Sequence, residues 1–176
     1  MARVPVERRR AGTVELAMNP YATFLGSRQP VAVIAETSGR LNGMMERLGE
    51  SGAERTPGPG KWSVRQILCH LADCEIAFGF RLRQALAENN HVIQPFDQDG
   101  WAKQYAAYSA KEACSMFDAL RKWNLRLIES LPKQAFERKL SHPERGEMTF
   151  QTVIETMAGH DLNHLAQLER IAATPA

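Results

Sequence analysis

Apolar residues recur at three- and four-residue intervals in four long segments, and no stretch of period-two alternation competes with them. The pattern predicts an all-α fold, a four-helix bundle. The first segment runs from about Pro30 to Gly49. Pro30 suits a first helical turn, and Gly49 with Gly52 suits its end. Ile34, Leu41, Met45 and Leu48 fall near one face. Gly39 and Gly43 weaken this helix by about 1 kcal/mol each relative to alanine, unless they admit a neighbouring helix closely.

Thr56-Pro57-Gly58-Pro59-Gly60 then breaks the chain. The second helix is expected from Ser63, an N-cap with Gln66 as its capping-box partner, to about Glu88. Val64, Ile67, Leu68, Leu71, Phe78, Leu82 and Ala85 make its buried stripe. Residues 89–109 form a connection long enough to be functional or to be a crossover that sets the topology. Ser109 and Glu112 open a third helix that runs to about Leu131, with Phe117, Leu120, Asn124, Leu127 and Leu131 inward, and Pro132 ends it. A polar stretch, 132–148, follows. The fourth helix starts at Thr149 and reaches about Ala172, with Phe150, Val153, Ile154, Met157, His164, Leu168 and Ile171 on its inner face.

Composition adds limits. The 176 residues fit one domain able to bury a core without disulfides. Residues 1–17 read as a disordered tail and residues 18–176 as the folded domain. The net charge of +2 is too small to imply nucleic acid or an anionic membrane. Arg3, Arg8, Arg9 and Arg10 against Glu7 and Glu15 place that excess in the tail. No stretch approaches the roughly 20 apolar residues of a membrane helix. Cys69, Cys74 and Cys114 form no disulfide framework and are read as core filling in a cytoplasmic protein.

The candidate chemistry lies on the fourth helix. His160 and His164 stand four residues apart, so both rings project from one face and can converge on one ion. They lie beside Met157, Leu168 and Ile171, on the face expected to point inward, where an unsatisfied polar group costs on the order of 1–3 kcal/mol. A purely structural reading, hydrogen-bonded core histidines, competes with a metal site at this point. His70, at the edge of the second helix's stripe, completes a three-histidine set if the two helices pack together. Three neutral imidazoles suit Zn, Ni, Fe or Cu and leave positions open for water or substrate. Asp73 is the candidate catalytic residue, either orienting an imidazole or acting as a base, against the plainer reading of a surface carboxylate. Glu75 is expected to pair between helices and Asp161 to meet solvent or the end of the first helix. Arg81 and Arg83 are the cations an anionic ligand would need. His91 and His142 are expected to serve the loops, with lining of the pocket the alternative for His142.

Lys61-Trp62-Ser63-Val64-Arg65-Gln66-Ile67-Leu68-Cys69-His70-Leu71-Ala72-Asp73-Cys74-Glu75 resembles the W-S-x-x-x-x-x-x-H-L-x-D-x-E signature of the DinB-like (YfiT-like) superfamily. Ala158-Gly159-His160-Asp161-Leu162-Asn163-His164-Leu165-Ala166-Gln167-Leu168 resembles its terminal H-x-x-x-H-L-x-Q-L helix. Pro95-Phe96-Asp97-Gln98-Asp99-Gly100-Trp101 and His142-Pro143-Glu144-Arg145-Gly146 look like two loops of one branch. The resemblance covers about residues 18–172. It implies a four-helix bundle with a long crossover, commonly homodimeric. It also implies one divalent metal ion, nickel or zinc, on His70, His160 and His164. Relatives of this kind look like S-transferases using a low-molecular-weight thiol, or metal-dependent hydrolases of small substrates. A non-catalytic, stress-related metal-binding bundle is a further alternative.

Overall fold

The computed structural model describes residues 18–173; the expected N-terminal tail lies outside them. The chain order is α1 (Ala22–Leu25), α2 (Pro30–Gly52), α3 (Val64–Ala87), β1 (His91–Val92), α4 (Gln98–Ala102), α5 (Ala110–Glu129), β2 (Lys139–His142), β3 (Gly146–Thr149) and α6 (Phe150–Ala173). Four long helices form the bundle, as the periodicity predicts. Both α2 and α3 pack against α5 and α6, so these two consecutive helices lie diagonally across from each other. Among the described residues, no helix is long and apolar enough to cross a membrane.

Local chemistry sets the helix boundaries. Ser63 accepts from the Gln66 N–H while the Gln66 side chain accepts from the Ser63 N–H, and Ser109 and Glu112 repeat the exchange at α5. Thr149 Oγ1 accepts from the Thr152 N–H at the start of α6. Gly49, at φ +63°, kinks α2 where the first helix was expected to end.

Three expectations need correcting. The first concerns strands. The 89–109 and 132–148 connections contribute a small three-stranded sheet, with β1 parallel to β2 and β2 antiparallel to β3. Its strands have two to four residues, too few to display an alternation. The second concerns the close approaches. A Cβ at Gly39 would meet nothing within 4 Å. The tight positions between separate elements are Gly79, where a Cβ would fall 2.8 Å from Asn124 Oδ1, and Gly159, where it would fall 2.5 Å from the Tyr21 carbonyl oxygen. The absence of a side chain at Gly159 lets the segment around Tyr21 lie directly on α6. The third concerns α5, whose buried face is Ala113, Cys114, Phe117, Arg121, Asn124 and Ile128. Leu120, Leu127 and Leu131 are only half-buried. Arg121 occupies a core position that an apolar count skips.

Candidate metal centre

The packing of α3 against α6 brings His70 to His160 and His164. His160 Nε2 stands 3.1 Å from His70 Nε2 and 3.1 Å from His164 Nε2. All three rings are buried. Trp62 leans on His70 with ring centroids 5.0 Å apart, and Tyr21 meets His160 edge-on at 5.1 Å. His164 Nδ1 lies 3.0 Å from Gln167 Oε1, an acceptor, so Nδ1 carries the proton and Nε2 presents a lone pair.

Hydrogen bonding alone does not satisfy this cluster. An imidazole nitrogen either donates one proton or offers one in-plane lone pair. His160 Nε2 faces two other Nε2 atoms at hydrogen-bond distance, so it can satisfy only one of them. Protonation is no remedy. Burial, with help from His164, pushes His70 down to about 3, and burial pushes His164 down to about 4. Burial and the two neighbouring histidines hold His160 well below the ordinary imidazole value. His70 and His160, with Cys74, form a donor set for a cation, and His164 Nε2 adjoins that set at 3.1 Å from His160 Nε2. With metal–nitrogen bonds of about 2.0–2.1 Å, two nitrogens on one ion stand roughly 2.9–3.4 Å apart at octahedral to tetrahedral angles. The observed 3.1 Å fits.

Cys74 belongs to the same cluster. Its Sγ lies 3.5 Å from His70 Nε2 and 3.8 Å from His160 Nε2, and His70, Cys74 and His160 form a group able to hold a metal. Sequence reasoning placed this cysteine in the core. The available signal was its position four residues after His70, on the same helical face. Burial first, then Glu75, pushes the Cys74 thiol up, so without a cation it stays protonated.

Asp73 is not delivered to this centre. One turn of helix falls 60° short after three residues, and the Asp73 carboxylate lines a separate groove between α3 and α5 with Cys69, Ile76 and Met116. Burial raises its pKa, and the neighbouring Tyr105 hydroxyl partly offsets the rise. It orients no histidine. Asp161 also differs from expectation: it faces neither solvent nor the end of α2. It is buried, accepting from Thr37 Oγ1 at 2.8 Å and from Arg121 Nη1 at 2.5 Å. Glu75 is the interhelical partner expected, accepting from Arg121 Nη2 at 2.8 Å.

A cavity of about 190 Å³ opens onto His70 and His160. Its walls come from α3, from the 89–109 connection through Phe96, and from the β2–β3 turn through His142 and Arg145. Tyr21 and Arg81 complete them. His142 therefore lines the cavity instead of serving only its loop; its Nδ1 accepts from the Glu144 N–H. The other connection histidine, His91, pairs with Glu88 away from this wall.

Comparison with known proteins places this geometry. The family model of the DinB superfamily matches residues 34–168. A "Putative metal-dependent hydrolase" of Oceanobacillus iheyensis is 36% identical over 110 residues, 62% of this chain and 64% of the relative. A protein of the same description from Bacillus cereus strain B4264 is 31% identical over the same share. The chain thus spans just under two thirds of these relatives' length. The solved structure of Bacillus subtilis YfiT, described as a probable metal-dependent hydrolase with an unusual four-helix bundle topology, superposes with a TM-score of 0.74 at 21% identity. That match covers 96% of this chain and 91% of the other. With the family model spanning most of its length, the chain belongs to the DinB superfamily.

Proposed function

We propose that this protein is a metal-dependent enzyme that hydrolyses a small substrate, with His70, His160 and His164 holding one divalent ion, nickel or zinc. The observation that carries the reading is the pair of 3.1 Å contacts around His160 Nε2, which hydrogen bonds cannot both satisfy, at the floor of an open cavity. Cys74 is the adjacent soft donor. A divalent cation on these nitrogens supplies Lewis acidity and lowers the pKa of water, or of a thiol, in its open positions.

The chain's own residues do the rest. Gln167 fixes the His164 tautomer. Tyr21, Phe78 and Phe96 restrict water at the cavity walls. The cavity is small beside the roughly 300–1,000 Å³ of sites for drug-sized ligands, which favours a small substrate or the small end of a larger one.

Transfer of a low-molecular-weight thiol is the second reading. It rests on the same open position and on the cationic wall formed by Arg81 and Arg145, which suits an anionic thiol. Metal analysis of the purified protein, followed by parallel assays of ester and amide hydrolysis and of thiol conjugation to a haloarene, tests both. Stoichiometric metal with hydrolysis that needs no thiol supports the first reading. Turnover seen only with added thiol replaces it with the second. Protein without metal affinity overturns both. We also propose a homodimer: Ile76 and Met116, each about half exposed, line one apolar groove between α3 and α5, and sedimentation velocity checks the mass.

A further inference from the structure

Arg81 lies eleven residues beyond His70, on the face of α3 that also carries Cys74 and Phe78. Arg145 comes from the β2–β3 turn, sixty-four residues later. Both side chains line the cavity that opens onto His70 and His160. Among the described residues, no ion pair includes either of them. Arg81 gives one hydrogen bond, from Nη2 to the Gln94 carbonyl at 3.3 Å. Its guanidinium carbon lies 5.7 Å from the centroid of the Phe78 ring and 5.6 Å from that of Phe96, within cation–π range of both.

This arrangement opposes itself. Burial disfavours the charge on Arg81 and outweighs the opposing influence of Cys74, and Arg145 adds repulsion from the same wall. Glu144 is the single carboxylate among the lining residues, against two guanidiniums. A divalent ion on the histidines would add further positive charge. A wall of partly desolvated like charges around an open cavity is relieved by an anion entering it.

We propose that Arg81 and Arg145 bind the carboxylate of a small anionic substrate, placing its reacting end toward the histidine cluster. This deepens the hydrolase reading and rests on it for the identity of the substrate, while the arginine pair itself is testable alone. A guanidinium fork matches a carboxylate with two parallel N–H donors, and two forks from separate elements fix its direction. The two arginines are binding residues; nothing requires them to touch the bond that breaks.

The experiment is calorimetric titration of the full chain with malonate, and with the uncharged malonamide, in zinc-loaded and metal-free forms. The proteins are wild type, R81Q and R145Q. Zinc content and thermal melting are recorded for each. Malonate is expected to bind wild type saturably, malonamide to bind at least tenfold more weakly, and each variant to lose at least tenfold in malonate affinity while keeping its zinc. R145Q lies in a half-buried turn, so its folding does not depend on the loss of R81Q contacts. Equal malonate affinity in wild type and R145Q, absence of malonate binding to wild type, or malonamide binding as tightly as malonate each overturns the proposal. A wild type that takes no zinc overturns the metal reading instead, and the arginine pair is then judged on malonate binding to the metal-free forms.

Discussion

Two buried polar clusters share the same helices one residue apart and have opposite characters. Cys74 and His160 face the cavity; their neighbours Glu75 and Asp161 face α5. The Glu75–Asp161 cluster closes on itself. Arg121 donates to both carboxylates and to the Ile34 carbonyl, Asn124 Nδ2 donates to Glu75 Oε2 at 3.0 Å, and Thr37 Oγ1 donates to Asp161. Only Arg121 Nε lacks a partner. Burial opposes the Arg121 charge, but Asp161 and Glu75 more than offset it, so the guanidinium stays ionised. The histidine cluster, by contrast, holds three lone pairs that cannot satisfy one another, and His160 Nδ1 has no partner either. A buried network whose donors and acceptors meet one another locks helices together. One left incomplete beside a cavity requires something from outside.

The largest effect that would break this distinction is at Arg121. Arg121→Met leaves two carboxylates buried without a counter-charge, and loss of one partner from a buried ion pair costs about 3–5 kcal/mol. Urea denaturation of metal-free protein should register that loss. Adding Glu75→Gln and Asp161→Asn to the same chain should recover much of it, because the uncompensated charges are then gone. An Arg121→Met protein as stable as wild type would mean the closed cluster contributes nothing to stability.

At the open cluster the expected effect has a different form. Wild type should gain about 2.7 kcal/mol of stability from zinc at a hundredfold excess over its dissociation constant, since only the folded state presents the site. His160→Ala should lose that gain almost entirely, with no upward shift of melting temperature on adding zinc. Full retention of the metal-induced shift would remove His160 from the ligand set and leave the two 3.1 Å contacts without a purpose.

Acid sharpens the contrast without mutation. Burial holds His70 at about 3 and His164 at about 4, below the ordinary value of 6.5. Above pH 6.5 these rings are neutral in both folded and unfolded chains. Below it, the unfolded chain binds protons that the folded chain refuses, so stability falls as the pH moves from 6.5 toward the folded values. Metal-free protein should therefore lose melting temperature steadily from pH 6.5 to pH 4, and bound metal should be released over the same interval, because protons compete for the same lone pairs. A flat melting temperature across that interval would show rings already protonated or exposed.

The sequence made the two clusters unequally visible. Capping boxes and three-four periodicity mark the four long helices because those signals are local to each segment. The spacing of His160 and His164 is legible for the same reason, and the two family motifs join His70 to them. Arg121 was hidden because a charged residue on an apolar face reads as a break in the pattern; its partners lie forty-six and forty residues away. Cys74 was marked by its place four residues after His70 on the same helix, whereas Arg145 joins the cavity only through packing of separate segments, and strands of two to four residues carry too little alternation to be seen. Asp73 was misplaced by proximity in sequence: three residues along a helix turn a side chain far enough to change which neighbour it faces.

The smallest effect concerns Gln167, which reaches the open cluster only through His164. Its Oε1 accepts the Nδ1 proton at 3.0 Å from one turn further along α6. Without that acceptor, the proton can shift to Nε2 and block the lone pair, or the ring can swing away from His160. Gln167 is half-buried, so Gln167→Ala should leave urea stability within about 0.5 kcal/mol of wild type. Zinc affinity should nevertheless fall about tenfold, the lower end of what losing such a supporting hydrogen bond costs. Gln167→Glu, which keeps the acceptor, should retain wild-type affinity or exceed it. A competition titration against a fluorescent chelator resolves a tenfold change. If alanine and glutamate at this position give the same affinity, the hydrogen bond does not set the tautomer, and the packing around His164 alone must aim its ring.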